Sequence, residues 1–226
     1  MLGDVRSQFG PAYNLWRQQS ATGNVEDALF FKRLCGFNRV NFTTYRRGAD
    51  LSFFQLYTGM VGKPVDRCAR HVLRQFPEKS GMPDWSLTMS NNQRKRLNKE
   101  TNDQLHELHG GIWIDAAHQL DGQGFWLFPE IRLVGCATDK GIYNGQLYTV
   151  ISISQDGVRL QTYMGDDVVD FKLCMISCLR PAHALTYYGC QGRTLRGRVR
   201  LYVQHSKLTT THITVGLGRA TSPQSN

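Results

Sequence analysis

Two stretches near the C-terminal end decide how the chain folds: Ala182-His183-Ala184-Leu185-Thr186-Tyr187-Tyr188-Gly189-Cys190-Gln191-Gly192-Arg193-Thr194-Leu195, and Ile213-Thr214-Val215-Gly216-Leu217-Gly218-Arg219-Ala220-Thr221-Ser222. The first reads as an apolar strand running into a polar turn, with Gln191-Gly192 at the bend. The second reads as another short apolar strand, ending on an arginine at the mouth of a Gly- and Ser/Thr-rich turn. In α/β sheets, ligands bind in the crevice beyond the carboxyl ends of the strands. An arginine placed there suits an anion, because its planar fork matches phosphate oxygens.

Composition sets the outer limits. The chain has 226 residues, of which 41% are hydrophobic, and no low-complexity tract, which is the profile of a folded protein with a sizeable core. No run of about 18 apolar residues exists to span a bilayer. Met1-Leu2-Gly3-Asp4 has no basic stretch followed by an apolar one, so it does not read as a secretory signal. These features imply an intracellular protein without a membrane partner, in the nucleus or at a viral replication site if the source is eukaryotic or viral. A net charge of +9 and a pI near 9.4 favour a polyanionic partner, nucleic acid first. The six cysteines stand at 35, 68, 136, 174, 178 and 190 without a CxxC pair, and read as reduced thiols rather than a metal site.

Taken in order, Met1-Leu2-Gly3-Asp4 looks like a strand end entering a turn, as though the chain began inside a strand. A helix is expected over 25–35, capped by Asn24 and ended by Gly36, followed by a strand over 40–43. Leu51–Val61 is apolar enough for a buried helix. Pro64 opens an amphipathic helix whose Val65, Cys68, Ala69, Val72, Leu73 and Phe76 form one face, with Arg67, Arg70 and Arg74 outward. Trp85–Met89 predicts a strand, and Ser90 or Asn91 caps a basic helix carrying Arg94, Lys95, Arg96 and Leu97. Residues 102–130 show no clear period. From Ile131 onward the period becomes two: Ile131–Ala137, Leu147–Ser154, Val158–Met164 and Val169–Cys178 predict four short strands, separated by Asn144-Gly145, Asp156-Gly157 and Gly165-Asp166 turns. Such a unit of about fifty residues suits a small barrel.

In this order the segments resemble the C-terminal half of a superfamily 1B DNA helicase of the RecD-like and PIF-type group, especially versions from large DNA viruses. Gly3-Asp4 through Gln8-Phe9-Gly10-Pro11 is similar to motif III, with one extra residue before Gln8. Phe42 to Arg47, followed by Asp50, is similar to motif IV, with Arg46 as an alternative to Arg47. Leu87 to Asn98 resembles an "Ile-Ser-His-x-x-Arg-x-x-x-Asn" segment, with Asn91 replacing His. Asn144-Gly145 resembles the start of the inserted β-barrel. The first stretch quoted above resembles motif V, with Tyr188, Gly189 and Cys190 where His, Lys and Ser are usual. The second resembles motif VI, with Gly218 for its Ser.

The resemblance implies an α/β chain built around a RecA-like parallel-sheet domain, the second motor domain, with an inserted SH3-like β-barrel. It divides the chain into 1–40, the tail of the first motor domain; 41–130, the first part of the second; 131–180, the barrel; and 181–226, carrying motifs V and VI. It assigns Arg219 and Arg47 to the γ-phosphate of ATP, with Gln8 sensing that phosphate. Gln191 and Gly192 would couple nucleotide to DNA, with Thr186 touching DNA phosphate, and Arg94, Arg96, Asn98 and Arg193 would contact nucleic acid. The implied activity is ATP-driven unwinding, 5′→3′ by analogy, in DNA replication, repair or recombination. The implied partners are single-stranded DNA and an N-terminal RecA-like domain in cis.

No Walker A loop is present. Gly59-Met60-Val61-Gly62-Lys63 is too short for one, and Pro64 stands where Ser or Thr should hold magnesium. Ile112–His118 lacks the glutamate of a Walker B segment, and His106-Glu107-Leu108-His109 spaces its histidines by three rather than four. ATP and Mg²⁺ are therefore expected only together with the first motor domain, and the isolated chain is expected to be inactive. The alternatives are a non-catalytic, helicase-derived nucleic-acid-binding module and a gene-model fragment. The motif V departures favour the module.

Overall fold

The computed structural model describes Arg33 and residues 50–139, 141–155, 157–162, 168–171 and 173–220. The expected motif III, the strand over 40–43, and Gln8, Arg46 and Arg47 lie outside the described residues. Of the expected helix over 25–35, only Arg33 is described, and it is helical. The chain divides into two compact units, one of Ser80–Gly189 and one of Met1–Lys79 with Cys190–Asn226. Among the described residues, no helix is long and apolar enough to cross a membrane.

The Ser80–Gly189 unit begins with β1 (Trp85–Thr88), buried along its whole length. Ser90 then caps α3 (Asn91–His109), its side chain accepting a hydrogen bond from the Gln93 backbone N–H at 3.2 Å. The helix runs nineteen residues, well past the basic segment that marked it in sequence. It hides its period because part of its buried face is polar. Asn98 and Asn102, four apart and so on the same side of the helix, are 0% and 1% exposed. Each clamps a strand with a two-way amide bond. Asn98 accepts from the Ala184 N–H at 2.7 Å and donates to the Ala184 carbonyl at 3.3 Å. Asn102 does the same to Trp126, at 2.7 and 2.9 Å. The two strands so held are β9 (Ala184–Thr186), which pairs parallel with β1 in the register Ser86 to Ala184, and β3 (Phe125–Leu127), which pairs antiparallel with β2 (Ile112–Ile114). His106, a turn beyond Asn102, stacks flat on the Trp126 ring at 3.6 Å.

The remaining strands form an antiparallel sheet in the order β7-β6-β5-β4-β8, with β4 Arg132–Gly135, β5 Leu147–Ile153, β6 Val158–Thr162, β7 Val168–Phe171 and β8 Leu179–Pro181. Its inner residues, Leu133, Tyr148, Val150, Val158 and Leu160, join Phe125, Leu127, Phe128 and Ile131 in one core. The β4–β5 turn depends on two glycines. Gly145 has φ of 82°, and a Cβ on Gly135 would stand 2.2 Å from the Tyr143 carbonyl oxygen. The sequence expectation of a small barrel reaches further than the strand pairing does: β7 and β8 are the two ends of the strand order, and no closed barrel forms among the described residues. The segment expected to be a single strand over 169–178 is divided. β7 ends at Phe171, Leu173–Cys178 turns as a 3₁₀ helix, and the chain then enters β8, which pairs antiparallel with β4.

In the other unit, α1 (Leu51–Thr58) is capped by Asp50, whose side chain accepts from Phe53 N–H at 2.9 Å, and it buries Phe53 and Tyr57. α2 (Val65–Gln75) follows Pro64 as expected, burying Cys68 and Val72, although Leu73 lies on its open side and is 49% exposed. β10 (Val199–Leu201) precedes α4 (Thr210–Leu217), and α1 and α2 both pack on α4. The expected strand over 213–217 is thus a helix. Ile213, Thr214, Val215, Gly216 and Leu217 are all buried, so neither a period of two nor one of 3.6 shows through. What starts the helix is its cap. The His212 Nδ1 accepts from the Thr209 N–H at 3.1 Å, in the place where a capping box usually has Glu or Gln.

Replacing Asn102 with Ala leaves the Trp126 N–H and carbonyl without partners, at roughly 1–3 kcal/mol for each buried group. Urea denaturation of N102A, followed by the fluorescence of the chain's four tryptophans, is expected to show a loss of roughly 2–4 kcal/mol. A loss below about 0.5 kcal/mol would remove the clamp from the account.

Candidate nucleotide and nucleic-acid site

Within the Ser80–Gly189 unit, β9 delivers Thr186 to a strand end. The Thr186 Oγ1 accepts a hydrogen bond from the Gly189 N–H at 3.0 Å, so the hydroxyl shapes the turn. A Cβ on Gly189 would meet that oxygen at 3.1 Å, a close approach for any residue with a side chain. Tyr188 is half exposed. His183, just before β9, is 5% exposed, and its Nε2 has no hydrogen-bond partner. Burial, reinforced by the Arg132 charge, pushes its pKa down from 6.5 to about 3, so the ring is neutral in the folded state.

The segments that carry Gln191, Gly192 and Arg193 on one side and Arg219 on the other meet in the second unit. Leu195 N–H donates to the Arg219 carbonyl at 2.8 Å, and Leu195 and Ala220 form a parallel bridge. The bend itself is closed by Arg193 N–H donating to the Cys190 carbonyl at 3.2 Å, with Gly192 at φ of 76°. Arg219 follows the last turn of α4 and is 8% exposed. Its Nε donates to the Val215 carbonyl at 3.2 Å and its Nη1 to the Arg193 carbonyl at 3.3 Å. The guanidinium is therefore oriented by backbone from both segments. Gly218 lets this happen at close quarters, since a Cβ there would meet the Thr214 carbonyl oxygen at 3.1 Å and the Tyr57 ring at 3.4 Å.

Burial also governs the neighbouring groups. The Cys190 thiol, 0% exposed, is pushed up to about 12 by desolvation, with Arg219 and Arg193 pulling the other way, so it is a protonated packing residue. Desolvation lowers the Arg193 pKa. Gln191 is half-buried, and its Nε2, shielded from solvent, has no hydrogen-bond partner: an amide donor in want of an acceptor.

The three residues of α3 singled out in sequence separate sharply. Arg94 is 2% exposed, and its Nη2 forms a fork with both oxygens of Asp121 at 3.1 and 3.0 Å. Its charge is spent inside the unit. Asn98 is the clamp on Ala184. Arg96 alone stands at the surface, 3.6 Å from Glu100. Sequence reasoning missed Asp121 and Asn102. The four-residue step between Asn98 and Asn102 was the available signal for the second clamp. For the Arg94 partner, 27 residues away, there was none. Among the described residues, no group of three His, Cys, Asp or Glu side chains could hold a metal ion.

No protein-family model matches the chain, and no curated protein matches it in sequence. Its fold has solved relatives. A Pif1 helicase from Candida albicans superposes with a TM-score of 0.56 at 15% identity, covering 80% of this chain and 54% of that one. Pif1 described at forked double-stranded DNA gives 0.58 at 15% identity, covering 80% and 47%. Bacteroides Pif1 in complex with ADP-AlF3 and single-stranded DNA gives 0.55 at 16% identity, covering 82% and 50%. The fold is Pif1-like, its mixed α/β arrangement with a parallel strand pair resembles a RecA-like helicase domain, and the chain spans about half the length of these structures.

The neutral His183 gives a pH test. Unfolded, the ring takes up a proton near 6.5; folded, it does so only near 3. The stability it confers is complete above pH 6.5 and is lost as the pH falls toward 3. Urea unfolding of H183L between pH 7 and 4 is expected to show an acid limb shallower by close to one proton than that of the wild type. Parallel limbs would place the titration elsewhere.

Proposed function

We propose that this chain is the second-motor-domain part of a Pif1-like, ATP-dependent DNA helicase, contributing arginine to a nucleotide cleft and binding single-stranded DNA. The observation that carries the reading is the joining of the Gln191-Gly192-Arg193 bend to Arg219 through the Leu195 and Arg219 backbone bonds. A residue that senses a γ-phosphate and a turn that touches DNA can be coupled in this way. Movement of either carries the other through shared carbonyls. Support also comes from the fold, which is shared with a Pif1 bound to single-stranded DNA and ADP-AlF3.

In this reading Arg219 stabilises charge developing on the transferred phosphoryl group, the role for which loss of an arginine costs about 10³–10⁵ in rate. Its Nε and Nη1 tethers set the fork in place before the nucleotide arrives, so no side-chain entropy is spent at the chemical step. Arg47 would add a second positive group and Gln8 would sense the phosphate. Gln191 Nε2 would donate to a phosphate oxygen, and Thr186, Arg193 and Arg96 would line the DNA path. ATP supplies the transferable phosphoryl group and Mg²⁺ the neutralising charge, both held with a first motor domain whose Walker A and B segments this chain lacks. The division at 1–40, 41–130, 131–180 and 181–226, the barrel character of 131–180 and the 5′→3′ direction belong to the same proposal. So do roles in DNA replication, repair and recombination.

A second reading, a non-catalytic nucleic-acid-binding module, is favoured by two adjacent residues. Cys190 is sealed in the interior where a serine hydroxyl is usual, and Gly189 offers no charge where a lysine is usual.

The purified chain is expected to bind a fluorescein-labelled dT₂₀ strand in a salt-dependent manner and to hydrolyse no ATP by itself. Joined to a first motor domain bearing Walker A and B, it is expected to support DNA-stimulated hydrolysis that falls by about 10³ or more in R219A. Full hydrolysis by the joined R219A protein would overturn the assignment. DNA binding with no hydrolysis in the joined wild type would establish the module.

A further inference from the structure

The positive charge of the chain is not evenly spread. Residues 80–189 hold nine Lys and Arg against twelve Asp and Glu, a net of −3. The rest holds eighteen against six, a net of +12. Within that basic part, α2 concentrates charge on one face. At 100° per residue, Arg67, Arg70, His71 and Arg74 fall within a sector of about 100°, opposite the buried Cys68 and Val72. All four are exposed. No carboxylate pairs with any of them among the described residues. Arg70 and Arg74 instead bend along the helix, their Nε atoms donating to the Asp66 and Arg70 carbonyls at 3.3 Å. Asp66, the one carboxylate on α2, lies about 40° beyond the edge of the sector, on the Arg70 side.

We infer that this ridge is a docking surface for the phosphate backbone of duplex DNA. Its length supports the choice. Arg67 and Arg74 are separated by about 10 Å along the helix axis, which matches roughly three phosphates of one strand at about 3.4 Å each along the duplex. Its chemistry supports duplex over single strand. Unstacked bases are held on aromatic faces, and the α2 surface offers no aromatic residue beside the arginines, only Leu73 and the imidazole of His71. Guanidinium groups along a rigid helix match phosphate oxygens, and contacts of that kind fix a protein's position on a duplex. The ridge is also mechanically connected. α2 packs on α4, and the Thr210 Oγ1 at the start of α4 donates to the Lys63 carbonyl at 2.7 Å just before α2. Force on the ridge therefore reaches α4, the helix that leads into Arg219.

The test is the salt dependence of binding for two probes, a blunt 20-base-pair duplex and dT₂₀, with the wild-type chain and R67Q/R70Q/R74Q. Three lost phosphate contacts are expected to reduce the slope of log K against log salt on the duplex by about 2.7, and to change the slope on dT₂₀ by less than about 1. R67K/R70K/R74K is expected to keep most of the duplex slope, because counterion release needs charge and not the guanidinium shape. Should the triple glutamine variant lose helix content by circular dichroism, R70Q alone is expected to reduce the slope by about 0.9. An unchanged duplex slope in folded variants overturns the ridge and leaves the proposed function standing. Ridge-dependent duplex binding without any dT₂₀ binding overturns that function's single-strand contact and leaves the ridge. A chain that binds neither probe overturns both. An equal loss on the two probes overturns the choice of duplex.

Discussion

Two asparagine side chains on one helix hold the Ser80–Gly189 unit in register. An amide group has an acceptor and a donor at its tip, the same pair that a neighbouring strand would present. Asn98 and Asn102 use them to replace the missing strand edge at Ala184 and Trp126. A larger apolar residue at either position would fill space but orphan a buried N–H and a carbonyl, which costs more than apolar burial returns. A strand joined to its neighbours only by packing can slip; one held by a two-way amide bond cannot slip without breaking both hydrogen bonds. Thr186 is thereby set at a defined point two residues beyond Ala184, and the hairpin carrying Trp126 is tied to the same helix.

The second unit solves a related problem with charge. Arg219 could extend from the end of α4 as a long, freely rotating side chain, and fixing it would cost a substantial part of its roughly 2 kcal/mol of rotamer entropy. Instead the Val215 and Arg193 carbonyls accept from it, and the entropy is lost once, on folding. The same contacts keep the Cys190 thiol beside two guanidinium groups and yet protonated, because desolvation outweighs both. That ordering of magnitudes matters: a buried serine hydroxyl is a strong donor and acceptor that demands good hydrogen bonds, whereas a thiol is a weak donor and demands far less of its surroundings. Gly189 belongs to the same economy of space in the neighbouring unit, where its turn closes onto the Thr186 hydroxyl.

Much of this was legible in the sequence where burial alternates with exposure. α2, β5 and β6 appear where the pattern puts them, because part of each is wet, while β1 and β4, dry along most of their length, show as short apolar runs, β1 with the Ser90 cap behind it. The pattern fails where both faces are dry or where the dry face is polar. α4 buries residues 212–217 without a break, so its β-branched Ile213, Thr214 and Val215 imitate a strand. α3 hides Asn98 and Asn102 inside, so its second half looked structureless. The apolar run ending at Cys178 looked like one strand because a 3₁₀ turn has no period that distinguishes it over six residues. At the candidate site, the adjacency of Arg219 to the Gln191-Gly192 bend followed from the ordered motifs. The commitment of Arg94 to Asp121 did not, since an arginine in a basic helix and an arginine in an internal fork are spelled alike.

That last distinction bears on how the chain would grip a polyanion. Of the arginines in the α3 segment, Arg94 is neutralised internally and Arg96 lies near Glu100, in a unit whose net charge is −3. By charge alone, a polyanion would be weakly repelled by that unit and attracted by the remainder of the chain, which holds Arg193, Arg219 and the α2 arginines at a net of +12. Long-range attraction sets encounter, and short-range donors set register. Under the proposed binding of nucleic acid, capture would fall to the basic part; in the acidic part, Thr186 lies two residues beyond the Ala184 backbone that Asn98 holds away from solvent.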